Sequence, residues 1–173
     1  MPDLHLRKAV PTELPALWAI LQHAIAQRRL DVSTQWQDGY PNPGTVQDDL
    51  DKGRAYVLEQ EGEIVLYAAI ILDPEPAYAA IEGRWLTNGP YVVLHRVAIA
   101  PQAKGQGMGT RFFGLMEQLA LERGVPSIKV DTNFDNGAML RILEKLGYTY
   151  CGQVYFRGSA RRAYEKVLGP ISK

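Results

Sequence analysis

The chain has 173 residues, 19 basic and 19 acidic side chains and 46% hydrophobic residues, which suits one globular domain over residues 1–173 with a sizeable core. Balanced charge leaves no overall field to gather nucleic acid or an anionic membrane surface, so neither is an expected partner. The single cysteine, Cys151, has no mate for an internal disulfide, and no run reads as a signal peptide or a membrane span, so a cytoplasmic setting is expected.

Residues 4–10 alternate and predict a first strand. Pro11 stops it, and Thr12 is placed to cap a helix carrying Leu14, Leu17, Trp18, Leu21 and Ile25 at helical spacing. Residues 28–44 are irregular and hold Trp36 and Tyr40, aromatic side chains that either line a pocket or pack the loop onto the core. Thr45, with Asp48 three residues on, reads as the cap of a short helix ending at Gly53. Residues 54–72 predict two antiparallel strands around a turn at 61–63. Residues 78–88, with Glu82 and Trp85, lack a clean period and read as an inserted loop or short helix.

An apolar run over residues 91–100 predicts a strand, residues 111–122 a helix, and between them lie Lys104, Gly105, Gln106, Gly107, Met108, Gly109 and Thr110. Alternating glycines before a helix start expose backbone N–H groups to an anion such as a pyrophosphate. A Walker A loop would need a lysine before its Ser/Thr, and a dinucleotide fingerprint on Gly105 and Gly107 would need a glycine at position 110. Neither pattern is met. Residues 128–131 predict a strand parallel to 91–100. A helix beginning at Asp135 or Asn136 and ended by Gly147 follows, then strands over 148–156 and 161–168. The order predicts an α/β fold with a mixed sheet and helices on both faces.

Over residues 94–113 and 136–148 the sequence resembles the GNAT superfamily of N-acetyltransferases. The superfamily pattern Q/R-x-x-G-x-G/A falls on Lys104, Gly107 and Gly109, with Lys104 in place of the usual Gln or Arg. The resemblance implies a GNAT-like acyl-CoA N-acyltransferase fold, acetyl-CoA as cosubstrate, no metal, and a homodimer as the oligomer it allows. It places the pyrophosphate on the amides of residues 104–110, the pantetheine arm and thioester on Val97, Ala98 and Ile99, and a further cosubstrate contact on Asn136. It also implies direct transfer of acetyl to a primary amine of a small molecule, with a peptide amine or a non-catalytic acyl-CoA-binding role as alternatives. Many members carry a tyrosine acid where this chain has Leu143.

His95, on the strand leading to the loop, suits a base because imidazole titrates near neutrality, about pH 6.5; a hydrogen-bonded strand histidine is the alternative. Glu82 is the second candidate base and a candidate amine ligand. Trp36, Tyr40, Glu82 and Trp85 are the candidate acceptor wall. Strict alternation puts His95 and Val97 on one face and Arg96 on the other unless a bulge intervenes. Asp131, at a strand end, either orients a neighbour or substrate or caps a turn. Cys151 reads as packing.

Overall fold

In the computed structural model, which describes residues 3–169, these residues form two compact units, one of residues 3–70 and 96–109, the other of residues 71–95 and 110–169.

The first unit starts with β1 (Leu4–Lys8), a 3-10 turn (Pro11–Glu13), α1 (Leu14–Leu30), α2 (Pro43–Asp51), β2 (Ala55–Gln60) and most of β3 (Glu63–Ile71). β1, β2 and β3 pair antiparallel in that order. The predicted turn forms at Glu61 and Gly62, both at positive φ, the conformation that matches strand twist in a two-residue hairpin. Leu17, Ile20, Leu21 and Ala24 of α1 pack with Val57, Tyr67, Ala98 and Ala100. Each fully buried leucine there contributes about 1.5–3 kcal/mol.

Two caps differ from the sequence expectation. Thr12 lies inside the 3-10 turn, where the Glu13 carboxylate accepts from the Val10 N–H. The second helix begins two residues before Thr45, because Asn42 caps it: the Asn42 Oδ1 accepts from the Thr45 N–H at 3.1 Å and Thr45 Oγ1 accepts from the Asn42 N–H. Pro43 at the first helical position is already set at helical φ.

The second unit contains α3 (Pro76–Ala79), β4 (Glu82–Gly83), the first half of β5 (Val92–Ile99), most of α4 (Met108–Glu122), β6 (Ser127–Thr132), α5 (Gly137–Lys145), β7 (Thr149–Phe156) and β8 (Ser159–Val167). β5 runs parallel to β6 through Val92 and Val93. β6–β8, β8–β7 and β7–β4 are antiparallel. Including β5, common to both units by chain continuity, the strand order is β1-β2-β3-β5-β6-β8-β7-β4, the expected mixed sheet. Helices lie on both faces of this unit's strands. On one, α3 contributes Tyr78 to a core with Val93, Val154 and Ala163; on the other, Lys166 of β8 meets Glu117 of α4 at 3.0 Å.

The stretch 78–88 contains a strand that the sequence pattern did not suggest. β4 crosses β7 so closely that a Cβ on Gly83 would lie 2.2 Å from the Cys151 carbonyl oxygen, and one on Gly152 would lie 2.2 Å from that of Glu82. Only glycine fits this crossing. Gly152→Ala is expected to cost about 2–4 kcal/mol and to speed amide exchange over residues 82–88 without changing exchange in α1. Urea unfolding and hydrogen exchange measure the two effects.

Candidate active site

Along β5 the half-buried positions 95, 96 and 97 follow one another. The cause is Arg96, a non-glycine residue at φ +56° in the middle of a strand. This left-handed conformation interrupts the pleat, so the alternation that set His95 and Val97 against Arg96 does not hold. Such a residue costs about 1–3 kcal/mol and persists where its surroundings over-determine it.

Those surroundings belong to the first unit. The guanidinium grips Asp49 of α2 with Nε donating to Oδ2 at 2.8 Å and Nη2 to Oδ1 at 2.6 Å, a two-pronged geometry that fixes orientation as well as distance. Arg96 Nη1 donates to the Tyr40 hydroxyl, and the Tyr67 hydroxyl donates to Asp49 Oδ2. Asp49 is 1% exposed. Burial is the largest single influence and works against the Arg96 charge, but hydrogen bonding to Asp49 together with the charge interactions with Tyr40, Asp49 and Tyr67 outweighs it and holds the guanidinium above its usual range. Burial, then Asp49, raises the Tyr67 phenol.

Immediately before the break, His95 belongs to the second unit. Its Nε2 lies 3.1 Å from Glu75 Oε1 and its Nδ1 3.7 Å from Asp131 Oδ2. The Tyr78 hydroxyl donates to Asp131 Oδ2 at 2.7 Å, and burial, reinforced by Asp131, keeps that phenol protonated. Tyr78 and Phe156 meet the imidazole edge-on. His95 is thus flanked by two carboxylates within an aromatic frame. Asp131 orients a neighbour, one of its two expected roles.

The other expected residues fall in several places. Trp36 is 6% exposed and packs into the first unit's core beneath the Arg28 guanidinium, the core-packing alternative of the two read for it. Tyr40 sits on Arg96. In the second unit Trp85 donates its indole N–H to the Tyr78 carbonyl at 2.9 Å, and the Lys129 ammonium lies over its ring. Burial lowers the Lys129 pKa. Glu82 lies exposed on edge strand β4, accepting from the Tyr155 hydroxyl, with β6, β8 and β7 between its strand and β5. It is not part of the His95 cluster. Cys151 is buried, and desolvation, with Glu165 adding to it, pushes the thiol up, away from nucleophilic reactivity.

The glycine loop has the form an anion requires. Residues 104–107 are exposed, Gly105 and Gly107 are left-handed at φ +79° and +72°, and no atom lies within 4 Å of a Cβ built on either. These glycines therefore serve backbone conformation. α4 starts at Met108, earlier than expected, so the loop feeds directly into the helix N-terminus. The Lys104 ammonium donates to Gln27 Oε1 at 2.7 Å. Asn136 caps α5, its Oδ1 accepting from the Met139 N–H at 3.2 Å.

Sequence reasoning missed Glu75, Tyr78, Asp49, Tyr67 and Glu165. The last is fully buried and accepts from the Leu86 N–H at 2.7 Å and from the hydroxyls of Thr87 and Ser127, fastening the segment around Trp85. A carboxylate in a strand otherwise reading as half-buried was the one available signal. Among the described residues no helix is long and apolar enough to cross a membrane.

A family model described as Acetyltransferase (GNAT) family matches residues 17–148. A GNAT-family acetyltransferase from Streptococcus agalactiae 2603 is 36% identical, with 96% of each chain covered and a TM-score of 0.86. One from Listeria monocytogenes 4b F2365 shares the fold at 20% identity, 95% coverage of each chain and a TM-score of 0.77. So does yncA of Salmonella typhimurium, solved with its cofactor acetyl-CoA, at 16% identity, 98% coverage of this chain, 96% of that one and a TM-score of 0.67. No protein of curated function matches the chain significantly. The family match over residues 17–148 and 36% identity across nearly the whole length show that the chain belongs to the acetyltransferase (GNAT) family.

Proposed function

We propose that the chain transfers an acetyl group from acetyl-CoA to a primary amine of a small molecule by direct attack. The observation that carries this reading is the placement of His95 between Glu75 and Asp131, on the strand that runs into the exposed glycine loop and the start of α4. The acetyl-CoA bound by yncA of Salmonella typhimurium supports the choice of donor.

When bound, acetyl-CoA supplies a thioester whose carbonyl carbon exchanges its C–S bond for a C–N bond, leaving free thiol. The amides of residues 104–110 hold its pyrophosphate, at a site suited by backbone shape and helix dipole. Val97, Ala98 and Ile99 offer the amides for the pantetheine arm and the acyl end, with Val97 N–H the donor to the carbonyl oxygen, and Asn136 makes a further contact. His95 takes the proton that the attacking amine must lose. Glu75 and Asp131, one beside each ring nitrogen, orient the imidazole. Leu143 is fully buried and has no proton to give, so the departing thiolate takes its proton from water; a thiol of pKa about 8.5 leaves without an acid more readily than an alkoxide. The high pKa of Cys151 favours direct transfer over an acyl-enzyme.

A free-thiol assay with acetyl-CoA against polyamines, amino acids, aminoglycosides and N-terminal peptides tests the reading. Turnover concentrated among the small amines is expected. Turnover confined to peptides would move the acceptor to the protein class, and thiol release with none of them would refute catalysis. Gly107→Val, which forces a β-branched residue into the left-handed region, is expected to raise the KM for acetyl-CoA by about tenfold or more with a smaller change in the acceptor KM.

A further inference from the structure

Arg161 is 7% exposed, yet among the described residues its buried Nε has no hydrogen-bond partner. A buried guanidinium N–H without an acceptor is costly, and in native proteins such a group finds its partner in a water, an ion, a ligand or a substrate. Its place in the sheet says which ligand.

Arg161 lies opposite Val154 in the β7–β8 register, and Ala163, two residues on, lies opposite Asp131 in the β6–β8 register. Directly opposed residues in an antiparallel pair share a face, and Val154 and Ala163 both belong to the core cluster of Tyr78 and Val93. Arg161 therefore stands on the face that carries His95 and Asp131. Asp131 is its diagonal neighbour, a separation of about 7–8 Å between such positions. Phe156, two residues beyond Val154, touches the His95 ring at 5.7 Å between centroids. The opposite face carries Arg162, which donates to Tyr164, and Lys166, which pairs with Glu117, so the unpaired cation faces the candidate acceptor side alone among these three.

From this polarity we infer that the acceptor is a free amino acid: its amine lies toward His95 and Asp131, and its carboxylate is held by Arg161. Glu75 and Asp131 repel a carboxylate and attract an ammonium group at one end, while the guanidinium does the reverse at the other. Planar, forked recognition of a carboxylate is the chemistry for which arginine is suited over lysine. A peptide N-terminus lacks the α-carboxylate, its carbonyl being tied up in an amide, and is discriminated against by the same residue. This inference rests on the amine-acetyltransferase reading and narrows its substrate class.

The test pairs each of several amino acids with its decarboxylated amine and its carboxamide, for example L-phenylalanine, phenethylamine and phenylalaninamide, or L-leucine, 3-methylbutylamine and leucinamide. Wild-type kcat/KM is expected to favour the amino acids by about 30-fold or more, the worth of one charge-assisted hydrogen-bonded pair. Arg161→Met is expected to remove that preference through the acceptor KM, leaving the amines within about threefold of wild type, and Arg161→Lys to restore part of it. Melting-temperature shifts of the CoA-loaded protein with the same compounds supply a readout free of turnover, and the shifts given by amino acids are expected to vanish in Arg161→Met. Equal use of amino acids and their amines, or an Arg161→Met variant that loses both in proportion, overturns the inference while leaving amine acetylation intact. Failure of every amine to release thiol refutes the catalytic reading instead, and the melting shifts then decide the carboxylate site on their own.

Discussion

Replacing Asp49 with alanine is expected to lower the free energy of unfolding by about 3–5 kcal/mol, because it leaves the Arg96 guanidinium buried without its carboxylate. In the native structure that carboxylate receives two Arg96 N–H bonds and the Tyr67 hydroxyl, so three donors lose an acceptor together. Asp49→Asn is expected to lose less, since one amide oxygen still accepts. The double variant Asp49→Leu/Arg96→Met removes both charges and is expected to be more stable than Asp49→Ala alone, as replacement of a whole buried pair costs less than orphaning one member. Urea unfolding of the three variants measures this. The same clamp holds the left-handed turn of Arg96, and therefore the orientation of the Val97 amide. In the double variant kcat is accordingly expected to stay low even where stability returns.

His95→Ala is expected to reduce kcat with the best acceptor by about 10²–10⁴-fold, the usual contribution of a positioned base, while the KM for acetyl-CoA changes little. Asp131→Asn keeps the hydrogen bond from Tyr78 but removes the charge beside Nδ1. A fall of about tenfold in kcat is expected for it, without further loss in the double variant with His95→Ala, because the carboxylate acts through the imidazole. Steady-state kinetics across pH measures both. An unchanged rate and pH profile in His95→Ala would remove the histidine from the mechanism.

Features encoded locally could be read from the sequence. Glycines at 105 and 107 mark their left-handed turn directly, the apolar period of α4 and the hairpin at Glu61 and Gly62 need no distant partner, and the resemblance follows from such segments. The break at Arg96 could not be read, because arginine has no preference for positive φ and adopts it only where Asp49, Tyr40 and Tyr67 hold its side chain. Asp49 itself sits among Asp48, Leu50 and Asp51, where nothing in composition separates one buried acid from two solvated ones. The same limit applies to Glu75 and Tyr78, whose pairing with His95 and Asp131 depends on strand order. The cap at Asn42, by contrast, was available: an Asn-Pro pair ahead of a helical stretch is a stronger start signal than Thr45 alone.

Initial rates of thiol release with acetyl-CoA and the best amine varied together test the central claim most directly. Direct transfer predicts release that depends on the amine, lines that intersect in double-reciprocal form, and intact protein with no acetyl adduct by mass spectrometry when the amine is omitted. Parallel lines with an acetylated enzyme, or release indifferent to the amine, would contradict it.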